Sequence, residues 1–251
     1  MPNSICIVPV APIRSEASHR SEQVSQLLFG ESVEIFESKG DFIKIKSLYD
    51  NYHGWCQATQ LLATEQPIKS AINKLAGNWS NEIFVNGELM RIPFGACLDI
   101  LDHQQLNRQI EYKGEIIESS TSFYNEEMIK KVTNTFINTS YLWGGRSVFG
   151  IDCSGFTQIV FKFMNIPLLR DASQQATMGN EVENLDKTEC GDLAFFDNQA
   201  GRITHVGILL DKETIIHASG KVRVDSIDQT GIISRHTKEK THSLKTIRRM
   251  V

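Results

Sequence analysis

The stretch that most constrains this chain is a glycine-rich loop running directly into a cysteine-bearing helix, Tyr141-Leu-Trp-Gly-Gly-Arg-Ser-Val-Phe-Gly-Ile-Asp-Cys-Ser-Gly155. Behind the cysteine, Phe156, Ile159, Val160, Phe163 and Met164 recur at helical spacing and make one apolar face. Asn165 and Pro167 stop the helix, because proline lacks a donor and pushes its predecessor out of the α region. Asp152 stands at the N-cap position. Cys153 is thereby predicted at a helix N-terminus, where unpaired N–H groups and the helix dipole favour a thiolate. The alternative is a buried core thiol, the usual state of a free cysteine. The polar neighbours Asp152, Ser154 and Gly155 argue against it.

Around this stretch the sequence is predicted to be α+β. From Ile5 to about Leu62, short apolar runs such as Val33-Glu-Ile-Phe36 and Phe42-Ile-Lys-Ile45 alternate with turn signals, as in a small β-barrel. Residues 63–122 repeat the style with Glu82-Ile-Phe-Val-Asn-Gly-Glu88, a strand entering an Asn-Gly turn, and imply a second barrel. A short helix is expected over Ile68 to Leu75. From Asn125 the spacing of Met128, Ile129, Val132, Phe136 and Ile137 predicts a helix. After the cysteine helix come three strands, Asp192–Phe196, Thr204–Leu210 and Thr214–Ala218. Helices first and an antiparallel sheet afterwards is an α+β order. The domain boundaries are therefore 1–62, 63–122 and 123–251.

Composition narrows the function classes. A net charge of -4 over 251 residues does not suit a nucleic-acid partner, and no apolar run reaches the length of a membrane-spanning helix. The first residues lack a basic region and are broken by prolines, so no signal peptide is read there. Five scattered cysteines without a CxxC fit reduced thiols, a cytoplasmic setting and neither a disulfide framework nor a metal site. No cofactor is expected.

A cysteine nucleophile needs a base, and the base needs an orienting group. Downstream of Cys153, His205 and His217 fall within apolar strand patterns, whereas His236 and His242 lie in polar segments. In a hairpin, side chains alternate with period two. A three-residue loop at Asp211-Lys-Glu213 sets Gly207 opposite His217 and puts both imidazoles on one face; a two- or four-residue loop separates them. A zinc site of Cys153, His205 and His217 is the competing use, but no metal-ligand motif accompanies them.

Tyr141-Leu-Trp-Gly-Gly145, Gly150-Ile-Asp-Cys-Ser-Gly155, Gly191-Asp-Leu-Ala-Phe-Phe196, His205-Val-Gly-Ile208 and Ile216-His-Ala218 together resemble the NlpC/P60 cysteine peptidases. The upstream segments resemble the bacterial SH3 domains often attached to that family. The resemblance implies a papain-like catalytic domain preceded by two small SH3-like barrels. It also implies hydrolysis of the γ-D-Glu–L-diamino acid bond in murein tripeptides and tetrapeptides with a free N-terminal L-Ala. Carried onto this chain, it makes Cys153 the nucleophile, His205 the base and His217 its orienter. Tyr141 would assist the oxyanion. Asp152, Ser154 and Asp171 would line the pocket, joined by Tyr52 and Glu31 from the barrel, with Glu31 an acidic partner for the substrate amine. The absence of a readable export signal departs from the usual family setting and favours recycling of imported wall peptides. An inactive wall-peptide-binding protein and a thiol acyltransferase of related fold are the other readings; the intact Cys153, His205 and His217 set counts against the first, and Cys-before-His order against the second.

Overall fold

The computed structural model describes residues 3–64, 73–102 and 109–251. The chain divides into two compact units, Met1–Ser120 with Trp143–Phe149, and Thr121–Leu142 with Gly150–Val251. Among the described residues far more lie in strands than in helices.

In the first unit, β1 (Asn3–Cys6), β2 (Val10–Arg14), β3 (Gln23–Leu28), β4 (Ser32–Lys39), β5 (Phe42–Ser47), β6 (His53–Gln57) and β7 (Leu61–Thr64) form one antiparallel sheet. Its order, β3-β2-β6-β5-β4-β1-β7, curls around Cys6, Ala11, Ile13, Leu27, Val33, Ile45 and Cys56. This is the small barrel expected over 1–62. Residues beyond it form β8 (Lys74–Ala76), β9 (Ser80–Val85), β10 (Glu88–Pro93), β11 (Ile110–Lys113) and β12 (Ile116–Glu118). They make a three-stranded sheet, β10-β9-β11, and a two-stranded one, β12-β8. The Asn-Gly turn is where the sequence puts it, with Asn86 and Gly87 both at positive φ (52° and 83°).

The core of these strands is shared with the first barrel. Ile83, Ile92, Leu98 and Ile100 pack with Ile5 and Phe29 of the first barrel. Because side chains alternate along a strand, β1 sends Cys6 into the barrel and Ile5 into this second cluster. One strand thus serves two cores, and residues 63–122 separate from the first barrel less than the sequence boundary implied. The helix expected over Ile68 to Leu75 falls mostly outside the described residues, and its end is strand, not helix.

In the second unit, α1 (Glu126–Thr135) starts where Asn125 Oδ1 accepts the Met128 N–H at 3.0 Å. After β13 (Arg146–Ser147), which clusters with the first unit, and β14 (Gly150–Ile151) comes α2 (Cys153–Phe163). Asp152 Oδ1 accepts the Gly155 N–H at 2.7 Å, the cap the sequence predicts. The helix ends as Asn165 turns to φ 55°. Then follow α3 (Ala172–Gln175), β15 (Asn180–Val182), β16 (Leu193–Asp197), β17 (Ile203–Asp211), β18 (Thr214–Ser219), β19 (Lys221–Asp228), β20 (Gly231–Ile233) and β21 (Lys240–Arg249). The sheet runs β15-β21-β16-β17-β18-β19-β20, and β20 also pairs with β21. Six strands thereby close on themselves around Ala194, Phe196, Leu209, Ile215, Ile227, Ile232 and Ile247. α2 packs against β17 and β18.

The β17–β18 hairpin corrects one expectation. Its turn is the two residues Lys212–Glu213, not three, yet Ile208 still pairs with Ile216. A bulge at Leu210 supplies the missing residue, since the pairing jumps from Leu209–Ile215 to Asp211–Thr214. The register therefore still sets Gly207 opposite His217, where a Cβ on Gly207 would lie 2.9 Å from His217 Cβ.

Candidate active site

Inward-facing positions of the closed sheet turn from apolar to ionisable along the strands. Leu209 gives way to His205 on β17, Ile215 to His217 on β18, Ile227 to Asp225 on β19, and Leu244 to His242 on β21. His205 Nε2 meets His217 Nδ1 at 2.8 Å, and His217 Nε2 meets Asp225 Oδ2 at 3.0 Å. Asp225 also accepts from Arg223 Nε (2.8 Å) and the Arg235 N–H (2.8 Å). Burial opposes charge on Asp225, but the bonds from His217 and Arg235 overcome it and hold the carboxyl well below its usual range.

This line fixes proton positions by elimination. An ionised carboxylate only accepts, so His217 Nε2 carries a hydrogen. Burial lowers the His217 pKa against the pull of Asp225, keeping the ring neutral, so its Nδ1 is an acceptor. His205 then donates from Nε2, and its Nδ1 is left with a lone pair. Burial first, then the neighbouring His217 and His242, hold the His205 pKa well below the ordinary imidazole value.

Cys153 opens α2, whose packing against β17 brings the Val206 N–H near enough to the sulfur to favour its thiolate. That places the thiol at the stretch of β17 that carries His205, the residue before Val206. Burial, followed by the Asp152 charge, pushes the thiol up to about 12. Desolvation and the adjacent carboxylate thus oppose the thiolate that the helix dipole favours. Burial and the nearby Cys153 also raise Tyr141, so its phenol stays a donor.

Below the cysteine, Arg170 grips Asp152 through Nη1–Oδ1 (3.1 Å) and Nη2–Oδ2 (2.6 Å) and donates to Ser154 Oγ (2.8 Å). Asp152 and Ser154 are accordingly buried parts of a polar cluster under the nucleophile. Asp171 caps α3, its N–H donating to Gln174 Oε1 at 3.1 Å.

In the first unit, Tyr52 is half-buried, its N–H donating to Asp50 Oδ1 (3.1 Å). Glu31 requires a correction. It is 1% exposed, receives Arg146 Nη1 and Nη2 on its two oxygens (2.9 and 3.2 Å), and accepts the Leu28 N–H at 3.0 Å. An incoming ammonium would have to displace Arg146, so Glu31 is a structural ion-pair partner and not an open acid.

Four residues of these sites were not singled out in the sequence: Asp225, His242, Arg170 and Arg146. Arg170 opens the polar run Arg170-Asp-Ala-Ser-Gln-Gln175, and Arg146 sits inside the glycine-rich loop. Asp225 and His242 lie beyond Ala218, where polar residues blur the strand pattern.

Comparison with known proteins bears on this geometry. The NlpC/P60 family model matches residues 138–241, and a bacterial dipeptidyl-peptidase Sh3 domain model matches residues 13–61. A probable endopeptidase of Haemophilus influenzae is 36% identical over 112 residues, covering 44% of this chain and 67% of that one. The chain belongs to the NlpC/P60 peptidase family. The gamma-D-glutamyl-L-lysine dipeptidyl-peptidase of Bacillus subtilis is 29% identical over 213 residues, covering 77% of this chain and 71% of its own. Dipeptidyl-peptidase 6 of Lysinibacillus sphaericus is 24% identical, covering 90% and 92%. An NlpC/P60 family protein from Bacillus cereus superposes with a TM-score of 0.79 at 17% identity, covering 99% of each chain, which shows the shared fold.

Proposed function

We propose that this NlpC/P60 member is a cysteine peptidase cutting the γ-D-Glu–L-diamino acid bond of murein peptides that carry a free N-terminal L-Ala. The observation that carries this is the line Asp225–His217–His205 on the strands against which the Cys153 helix packs. The names of the relatives supply the substrate class, a γ-D-glutamyl-L-lysine peptide and release of a dipeptide.

His205 Nδ1 takes the thiol proton as sulfur attacks the γ-carbonyl carbon of D-Glu. The oxyanion is received by the Cys153 N–H and the Tyr141 hydroxyl. His205 returns the proton to the departing amine, leaving a thioester. Water, deprotonated by the same imidazole, attacks the thioester and regenerates the thiol. Asp225 and His217 hold the tautomer and stabilise the transient imidazolium. Asp152, Ser154 and Asp171 belong to the D-Glu side of the pocket, with Arg170 setting the first two. A helix-borne thiol facing a strand-borne imidazole supports the papain-like reading, and the Asn-Gly hairpin supports reading residues 63–122 as a diverged second SH3-like element. Five free thiols suit a reducing, cytoplasmic setting and with it peptide recycling.

The test is incubation of the full chain with L-Ala-γ-D-Glu-L-Lys-D-Ala, free and N-acetylated, followed by mass spectrometry. Release of L-Ala-γ-D-Glu is expected, with the acetylated peptide cut more slowly, as the dipeptidyl-peptidase names of the relatives imply. Binding without turnover would identify an inactive receptor; equal rates would remove the free-amine requirement.

A further inference from the structure

His242 stands where the sequence places nothing of consequence, in the polar run preceding the last strand residues. Its ring stacks on His205 with centroids 4.2 Å apart and planes at 25°. The His217 ring meets His205 edge-on at 81°, bonding it in its own plane. Phe196 meets it at 5.8 Å. The imidazole is therefore fixed in its plane by one hydrogen bond and across its face by a flat neighbour. His242 is itself held through Nδ1 and Thr241 Oγ1 at 2.9 Å, and it lines a groove with Asp197, Thr204 and Ser243.

We propose that His242 is a positioning residue: its face holds His205 in the orientation that accepts the thiol proton, and it must be neutral while His205 is an imidazolium. This inference rests on the reading of His205 as the base. Two stacked rings cannot both carry charge cheaply in a buried setting, because like charges at this separation repel strongly where water is excluded. The charged and titratable groups facing His242 are His205 on β17, His217 on β18, Arg223 and Asp225 on β19, and Asp197 on β16, the last bridged to Lys245 of β21 at 3.5 Å. β20 presents the apolar Ile232 opposite it. Burial, then His217 and Arg223, bring His242 down to about 4, so it is neutral near pH 7.

The experiment compares the full chain with His242→Ala and His242→Phe by two readouts. In steady-state hydrolysis of L-Ala-γ-D-Glu-L-Lys-D-Ala, His242→Ala should lower kcat on the order of tenfold with KM within about threefold, because a misoriented base costs rate and not binding. His242→Phe keeps a flat face and should recover most of kcat. In ¹⁵N NMR of the imidazoles, His205 should titrate at higher pH in His242→Ala, since water enters and a like-charge neighbour is gone, and at an intermediate pH in His242→Phe. Unchanged kcat in His242→Ala, or equal losses in both variants, overturns the positioning role. An unchanged His205 titration overturns it even if the peptide is not a substrate, which separates this failure from failure of the proposed function.

Discussion

Two buried arginine–carboxylate pairs sit in the two units and resemble each other closely. Arg146 holds Glu31 in the first unit and Arg170 holds Asp152 in the second, each through two hydrogen bonds and each almost fully buried. Their surroundings differ. Glu31 closes the Leu28 N–H, and Arg146 also donates to the Gln26 carbonyl at 2.6 Å, so this pair ties the glycine-rich loop to β3. Asp152 caps the helix that begins with Cys153, and Arg170 also holds Ser154. A buried ion pair is weak evidence for stability and none for catalysis. What separates these two is which of them touches a nucleophile.

The largest effect expected is in the second unit. Cys153→Ala should lower peptide hydrolysis at least about 10³-fold while leaving thermal unfolding nearly unchanged, and His205→Ala should be comparably damaging because members of one catalytic unit are not additive. Turnover near wild type in Cys153→Ala would sever the link between chemistry and the Asp152 pair. Next, Arg170→Met and Arg146→Met each leave a buried carboxylate unpaired and should cost about 3–5 kcal/mol in denaturant unfolding. Only Arg170→Met should also lower kcat of the folded fraction by more than tenfold; equal kcat losses would erase the contrast between the pairs.

Asp225→Asn should be milder, roughly tenfold to a hundredfold in kcat, because the amide keeps the shape but neither imposes the His217 tautomer nor supplies charge. Its stability should change with pH in a stated direction. Asp225 has a folded pKa below its ordinary 3.8, so its contribution is complete above about pH 4 and is lost as pH falls. The variant should therefore show a flatter loss of stability below pH 4 in acid titrations followed by circular dichroism. Smallest of all, Glu126→Gln removes an exposed i,i+4 partner of Lys130 and should shift stability by less than about 0.5 kcal/mol.

Much of the nucleophile side was legible in the sequence, because helices announce themselves by period and caps: Asp152, Cys153 and the stop at Asn165 follow from residue types alone. The hairpin histidines were legible only on condition of a loop length, and the condition was met by a bulge that no turn residue signals. Asp225 and His242 were not legible, since they lie on strands whose other residues are largely polar and whose partners, β18 for one and β16 and β20 for the other, are set by closure of the sheet. Glu31 was misread for a related cause. An acid in a turn looks solvent-facing until the arginine 115 positions later is brought to it. The burial that opposes a Cys153 thiolate was not legible, because the helix dipole is visible in sequence and desolvation is not.

Burial and the Asp152 carboxylate raise the Cys153 pKa, so the thiol is expected to rest protonated and to give its proton to His205. The most direct measurement is the rate of Cys153 alkylation by iodoacetamide from pH 5 to pH 10, followed by mass spectrometry of the peptide containing Cys153. Slow reaction is expected at acid and neutral pH, with a rate that climbs steadily with alkalinity, since only the thiolate reacts. Rapid, pH-independent alkylation down to pH 5 would mean a preformed thiolate–imidazolium pair and would contradict that expectation.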